Sequence, residues 1–372
     1  MTQFQLTIPA RVNILGNPAD ANEGDFATIS AAIDLHAYAD IRSATDYTLE
    51  QTDTEVSSAC FRPSDLPLPY DDSLDLLKGA VNRLHTYSAE FREKLLLHGF
   101  HLRIRSEVPR QSGLGGSSLL VLLTLAGLRE LYALDRRVHN DYILSELCQR
   151  VEEAELGIAA GFADRYVPLF GGLAYLDYRG KLHHANVRQE PLVTYERLDE
   201  YVASLPLVAV TTGVQHDSGD VHGRMRPRYL EEHAAWQKRG GEAPPMVCFM
   251  SNAWETAWRG KIALLEGDLK TFGRLMNDNH RCVDEMMHYC DFVDGAGWAN
   301  NLFIEAALQN GALGAKLTGA GGGGSVFALT EPGQEETLMQ IWRETAARNN
   351  LSDAQIYPLK VAQQGLKIER HL

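Results

Sequence analysis

The sequence predicts a mixed fold of strands and helices laid out in two parts. Its 372 residues exceed what one hydrophobic core commonly serves. Short strand-like runs alternate with longer helical periodicities along the chain. A buried-type strand, PLVAVTT at residues 206–212, opens the second part after a break placed at residues 190–205.

Taken in order, VNIL and FATISAAI read as strands broken by the loop GNPADANEGD, whose Gly, Asn, Pro and Asp favour turns. Residues 50–75 are rich in Ser, Asp and Pro and read as loop. FHLRIR at residues 100–105 alternates apolar and polar side chains, the period of a half-buried strand. From Ser117, SSLLVLLTLAGLRELYAL is apolar nearly all round and predicts a buried helix. A second helix is expected over residues 141–160, with Ile143, Leu144, Leu147, Val151 and Ala154 on one face. FGGLAYLDY then turns at glycine into a strand.

In the second part, residues 215–245 are polar and predict a long loop enclosing a helix. Trp254, Trp258, Ile262 and Leu265 mark one helix, and Leu269, Phe272 and Met276 another; both tryptophans are assigned to the core. A further helix, residues 300–309, stops at Asn310 and Gly311. KLTGAGGGGSVFALT is strand, glycine turn, strand.

Composition excludes several classes. With 49 acidic against 35 basic residues the formal charge is −14, which argues against a nucleic-acid partner. Five scattered cysteines lack CxxC spacing and fit a reduced, intracellular setting. The start has no basic segment followed by an apolar one, and residues 119–128 are too short to span a bilayer, so no membrane partner is expected. The 13 histidines form no HxxxH or HExxH pattern, which argues against a transition-metal site. A cytoplasmic enzyme acting on a small molecule is the expectation.

Three segments carry chemistry. PRQSGLGGSSLLVLL, residues 109–123, brings a glycine turn to a helix start, where close backbone approach and unpaired N–H groups suit an anion. Ser117 and Ser118 can cap that helix, coordinate a metal, or both. The Lys of a Walker A loop is missing. GAGGGG at residues 319–324 formally meets GxGxxG, but a strand follows it, which excludes the dinucleotide reading. VEEAELGIAAGFADRYVPLFGG, residues 151–172, clusters Glu152, Glu153 and Glu155 ahead of Asp164. A phosphate loop with a Glu and an Asp is what Mg-nucleotide chemistry asks for.

In this order the segments resemble the GHMP kinases. PRQSGLGGSSL is similar to the family's phosphate loop P-x-x-x-G-L-[GS]-S-S-A, and KLTGAGGGG to its C-terminal glycine motif. ARVNILGNPADANEG looks like the sugar-binding opening G-R-V-N-x-x-G-E-H-x-D-Y of its galactokinases. Within the family, ARVNILGNPAD, AELGIAAGFADR, FGGLAYLDY and SGDVHGRMRPRYL look like glucuronokinase-type sugar-1-kinases.

The resemblance implies a two-domain α+β fold: a ribosomal S5-like domain over residues 1–200 and a ferredoxin-like domain over residues 201–372. It implies that Pro109, Ser112, Gly113, Leu114, Gly115, Gly116, Ser117 and Ser118 wrap the phosphates of ATP. Mg2+ would be held by Ser117, with Ser118 beside it, and by Glu152 or Glu153. Gly116 stands where the family has its first Ser, so the metal register is open by one residue. Asp164 matches the catalytic Asp, with Arg165 in place of the family's Gln. Arg11 matches the Arg that keeps this carboxylate ionised. Asn17, Asp20 and Tyr175 fall on substrate-binding stretches, and Gly319, Ala320, Gly321, Gly322 and Gly323 would close over phosphates and acceptor.

The implied reaction is transfer from ATP to the anomeric hydroxyl of a monosaccharide, with a uronic acid foremost. Arg226 and Arg228 in HGRMRPR are the expected grip on its carboxylate. Alternatives are galactose, fucose, heptose-phosphate or mevalonate-type acceptors, ATP-dependent decarboxylation, or a non-catalytic sugar sensor.

Overall fold

Long apolar alternation makes strands of the first forty-odd residues, and in the computed structural model these form the spine of the larger of two sheets. The structure describes residues 3–21, 26–53, 56–158, 161–178, 193–214 and 218–371. Strands β1 (Gln3–Leu15) and β2 (Ala27–Ala44) pair antiparallel, with register shifts between Pro9 and Ala10 and between Asn13 and Leu15. Such irregularities re-aim side chains, and the second lies beside the site described below.

Strands β3 (Tyr47–Gln51) and β4 (Ser57–Phe61) extend this sheet beyond β5 (Gly99–Ser106), with β3 and β5 parallel. The expected loop over residues 50–75 therefore contains a strand. Its SSACF has no buried residue, and an edge strand needs only one hydrogen-bonded neighbour. Helices α1 (Asp75–Tyr87), α2 (Ala89–Leu95) and α3 (Gly116–Leu131) follow, and α3 is buried nearly all round against β1 and β2, as its composition predicts. The second expected helix is α4 (Asp141–Arg150); it runs on only as a π turn, Val151–Glu155. Residues 159–160 lie outside the described set. Helix α5 (Ala163–Phe170) leads to β6 (Leu173–Asp177), which pairs with β2 and with β7 (Thr194–Arg197).

The second sheet begins with β8 (Leu207–Thr211). Helices α6 (Ser218–Arg239), α7 (Pro245–Leu265), α8 (Leu269–Tyr289) and α9 (Trp298–Gln309) come next. Strands β9 (Gly314–Thr318) and β10 (Ser325–Leu329), helix α10 (Glu335–Arg348) and strand β11 (Gln355–Leu359) complete the unit. Its order, β11–β8–β10–β9, with α9 and α10 packed through Phe303 and Trp342 onto Val208 and Val326, is ferredoxin-like. Strand β12 (Lys367–His371) then returns to pair with β1.

Two further expectations need correction. Most of the polar stretch 215–245 is helix, because α6 buries a stripe of Val221, Met225 and Tyr229 at four-residue spacing, too narrow to dominate the composition. Residues 215–217 lie outside the described set. Trp258 is 40% exposed rather than core. Helix α7 turns Ala253, Ala257 and Gly260 to the sheet, and a Cβ on Gly260 would lie 2.3 Å from Leu15 Cδ1. That close approach pushes the large indole to the flank, where it meets Tyr175 edge-on at 6.4 Å. No described helix is long and apolar enough to cross a membrane.

Candidate active site

Residues 107–115 join β5 to α3, and two left-handed glycines shape them: Gly113 (φ 73°) and Gly115 (φ 82°). A Cβ on Gly113 would lie 2.8 Å from the Thr318 carbonyl oxygen, and one on Gly319 would lie 2.8 Å from Gly113 Cα. The two glycine-rich segments thus touch backbone to backbone. Ser325 Oγ donates to Ser112 O at 2.7 Å and fastens the contact, while buried Leu114 anchors the loop from within.

No side chain caps α3, whose N-cap is Gly115. Ser117 and Ser118, expected as possible caps, sit in the first turn instead. The Ser117 hydroxyl donates to Glu152 Oε1 at 3.0 Å, and Ser118 donates to both oxygens at 3.0 and 3.1 Å. Glu152 also accepts from Arg165 Nη2 at 2.6 Å, with both side chains 1% exposed. Burial acts to lower the Arg165 pKa, but the charges of Glu152 and its neighbours, with the Glu152 hydrogen bond, together raise it above its ordinary value. Glu153 goes elsewhere: it accepts from Gln149 and, at 2.6 Å, from Arg226 Nη1. The π turn separates these neighbours, aiming one at the serines and the other at α6.

Asp164 lies in the first turn of α5, and Arg11 reaches it from β1. Arg11 Nε donates to Oδ1 at 2.6 Å, Nη2 lies 2.5 Å from Oδ2, and Nη1 donates to Gly113 O at 2.5 Å. A Cβ on Gly115 would meet Arg11 Cζ at 3.3 Å, so a bare backbone there makes room for the guanidinium. Asn13 lies two residues along the same strand face. Ser30 Oγ occupies its amide oxygen at 2.9 Å, which turns Nδ2 toward Asp164 at 3.4 Å. Burial pushes the Asp164 carboxyl up, but Arg11's charge and hydrogen bonds, with Arg165 and Asn13, bring it below its ordinary value. Asp20 behaves oppositely. It accepts from Ala163 N at 3.1 Å, and burial with the Asp164 charge pushes its carboxyl up to about 6.

One cleft of about 400 Å³ collects these groups, a size suited to a small molecule. Pro109, Ser112, Gly113, Gly115, Gly116 and Ser117 line it from the loop and helix start, with Glu152 beside them. Arg11, Asn17, Asp20 and Asp164 line it from the β1 side, and Gly319 and Ala320 from the hairpin. On the β3–β5 side, Leu76, Val108 and Leu120 give it apolar surface. There Gln51 Nε2 donates to Asp53 Oδ2 at 2.6 Å, and buried Gln51 Oε1 has no hydrogen-bond partner among the described residues.

Several expected residues are not brought to the cleft. Ser118 and Leu114 are buried behind it. Tyr175 faces α7 and packs on Trp258. Gly321 lies against Met287, its Cβ position 2.8 Å from the sulfur, and Gly322 N donates to Ala296 O at 2.9 Å. Gly323 O accepts from Asn300 Nδ2 at 3.0 Å. The surplus glycines thus fit the hairpin under α8 and α9 rather than over a ligand. Arg226 is bonded to Glu153, and Arg228 stacks on the Tyr289 ring at 4.0 Å, so the expected carboxylate grip is not assembled. Conversely, Asn13, Gln51, Asp53, Arg110, Gln111 and His222 line the cleft without having been singled out. Asn13 could have been found from its two-residue spacing to Arg11, and Arg110, Gln111 and His222 lie inside stretches already quoted; Gln51 and Asp53 carry no motif.

The family described as GHMP kinases N terminal domain matches residues 75–172, and GHMP kinases C terminal matches residues 301–348. "Probable glucuronokinase 2" of Arabidopsis thaliana is 30% identical over 346 residues, spanning 90% of this chain and 87% of the relative. The chain belongs to the GHMP kinase family. Two further similar proteins are kinases by name. "D-glycero-alpha-D-manno-heptose 7-phosphate kinase" of Campylobacter jejuni is 25% identical over 356 residues, 92% of this chain and 94% of the relative. A galactokinase of Thermococcus kodakarensis is 31% identical over 257 residues, 66% of this chain and 69% of the relative. Among solved structures, Lactococcus lactis galactokinase complexed with galactose matches this GHMP kinase with a TM-score of 0.76 at 20% identity, covering 98% of this chain and 95% of that one, which shows the shared fold. The two-sheet architecture is therefore the two-domain fold of the GHMP kinases, and the chain is a kinase.

Proposed function

We propose that this GHMP kinase uses ATP to phosphorylate the anomeric hydroxyl of a monosaccharide, and that the monosaccharide is a uronic acid. The observation that carries the reading is that an uncapped helix start and an arginine-bound carboxylate, Asp164, line one cleft. Backbone N–H groups and the positive helix end suit a triphosphate. Leu76, Val108 and Leu120 offer apolar surface to the base, and Gln51 Oε1 can accept from its amino group. With the proposed domain division at residue 200, His222, Gly319 and Ala320 reach this cleft from the second half.

The donor set fits a small hard cation: Ser117 Oγ and Glu152 Oε1 lie 3.0 Å apart at the cleft wall. Bound there, Mg2+ supplies charge neutralisation at the phosphates. Glu153 turns to Arg226 and does not line the cleft, whereas Glu152 lines it beside Ser117, which makes Glu152 the candidate carboxylate. Asp164, kept anionic by Arg11, orients the acceptor hydroxyl and receives its proton as the oxygen bonds to phosphorus and the donor P–O bond breaks. Asp20 and Asn17, which line the same cleft, would hold other sugar hydroxyls.

The likeness to "Probable glucuronokinase 2" supports the uronic acid, whereas Arg226 and Arg228 do not. A second reading, a sugar phosphate acceptor, is favoured by the alignment over 94% of the Campylobacter jejuni heptose 7-phosphate kinase. An ATP-consumption screen over glucuronate, galactose, fucose and heptose phosphates tests both, with the position of the product phosphate read by NMR. The expected product is a uronic acid 1-phosphate. Absence of acceptor-dependent ATP consumption with every sugar would remove the proposal.

A further inference from the structure

Lys316 on β9 is wholly buried, and its ammonium is spent on neutral acceptors. It donates to Asn17 Oδ1 at 2.6 Å, to Leu317 O at 2.9 Å and to Asn13 O at 3.4 Å. A buried ammonium is costly without a bonded counter-charge, so its presence behind this wall asks for a reason. The surrounding groups come from several elements. Asp20, beyond β1, is the acid whose charge acts on it. His280 on α8 is half-buried, and desolvation lowers it to about 4, so it stays neutral near physiological pH. From β10, the Phe327 ring centroid lies 5.5 Å from Nζ.

The consequence falls on Asn17. With Oδ1 held by Lys316, its amide nitrogen faces the other way and donates to Gly319 O at 3.3 Å, at the cleft edge. Asn279 on α8 fixes the same loop from behind, accepting from Gly16 N at 3.1 Å and donating to Asn17 O at 3.2 Å. The amide is therefore locked with its nitrogen on the cleft side, one N–H on Gly319 O and one left for a ligand. The other cations with assigned roles here are neutralised, Arg11 by Asp164 and Arg165 by Glu152.

We infer that Lys316 is a positioning residue for the acceptor: it aims the Asn17 amide nitrogen, with the N–H not taken by Gly319 O, toward the cleft, and its charge behind that amide favours a sugar acid over a neutral sugar. This deepens the proposed function and rests on that reading of the acceptor end. The titration of Lys316 agrees with the geometry. Burial lowers it to about 7, only partly opposed by Asp20, so a bound carboxylate nearby would draw a proton onto it.

Calorimetry and kinetics on the full chain test the inference. At about pH 8, glucuronate binding measured in buffers of different ionisation enthalpy should show proton uptake in the native enzyme. Lys316→Arg, always charged, should keep affinity within about threefold and lose most of that uptake. Lys316→Met should raise KM for glucuronate by about tenfold or more, with KM for ATP within about twofold and galactose affected less. Should Lys316→Met not fold, the proton count of Lys316→Arg still decides. Equal losses for acid and neutral sugars, unchanged proton uptake in Lys316→Arg, or no preference of the native protein for glucuronate would each overturn the inference. Uptake and preference in binding without any phosphorylation would instead sink the kinase reading of the sugar and leave Lys316 standing.

Discussion

Asp164 and Arg165 are neighbours on one helix, and each makes an arginine–carboxylate pair, yet the two pairs have opposite fates. Successive helical residues point about 100° apart. Asp164 therefore turns to β1 and the cleft, where its side chain keeps 15% exposure beside Arg11. Arg165 turns inward to Glu152, and both side chains are 1% exposed. The open pair leaves carboxylate edge for a substrate. The closed pair holds a carboxylate in place for Ser117 and Ser118. The same chemical couple serves reactivity or scaffolding according to what surrounds it.

Breaking the open pair should have the largest effect on activity. Asp164→Asn is expected to lower kcat by about 10²–10⁴ while ATP affinity, measured by titration calorimetry, stays within about twofold. Full turnover in that variant would move the reactive role elsewhere. Breaking the closed pair should appear in stability as well as in activity. Glu152→Gln strands a buried guanidinium and should cost about 3–5 kcal/mol in denaturant unfolding. An unchanged midpoint would show that Arg165 finds another partner.

The acids of the open side separate further by pH. Asp20 titrates at about 6 in the fold against 3.8 as reference, so its folded form holds more protons between those values. Its stabilising contribution is complete below about pH 4 and is lost as pH rises through about 6, by up to about 3 kcal/mol. Asp164 is lowered in the fold, so its contribution is present above its unfolded value and is lost as pH falls through its folded one. Unfolding midpoints measured from about pH 4 to about pH 7 should therefore rise more steeply with pH in Asp20→Asn than in the native protein. Parallel curves would mean that Asp20 is not perturbed. The smallest effect is expected from Arg226→Ala. With Arg226 tied to Glu153 outside the cleft, KM for glucuronate should change by less than about threefold. A tenfold rise would restore the arginine grip that the geometry does not support.

Much of this site was legible before folding because its parts are local. PRQSGLGGSSL announces a left-handed turn at a helix start, and Gly113 and Gly115 take up that conformation. The strand, glycine turn and strand of KLTGAGGGGSVFALT pair as read. Longer-range features were misread where composition misleads. The stripe of α6 is too narrow to outweigh its polar residues, and Trp258 of α7 yields the sheet-facing side to Ala and Gly, while Trp254 packs against the core as read. The glycines at 321 and 322 were assigned to a ligand although Met287 and Ala296, far away in sequence, are what press on them.

By itself, the order of residues determined where backbone must be bare, where the most strongly patterned helices and strands lie, and which carboxylates are available for chemistry. Those properties depend on neighbours along the chain, through turn geometry and hydrophobic period. Only the tertiary structure decided which of Glu152 and Glu153 meets the serines, which arginine each acid keeps, and that a lysine from β9 stands behind Asn17. Charge pairing and burial depend on distance in space, and the chain separates Lys316 from Asn17 by |i−j| = 299.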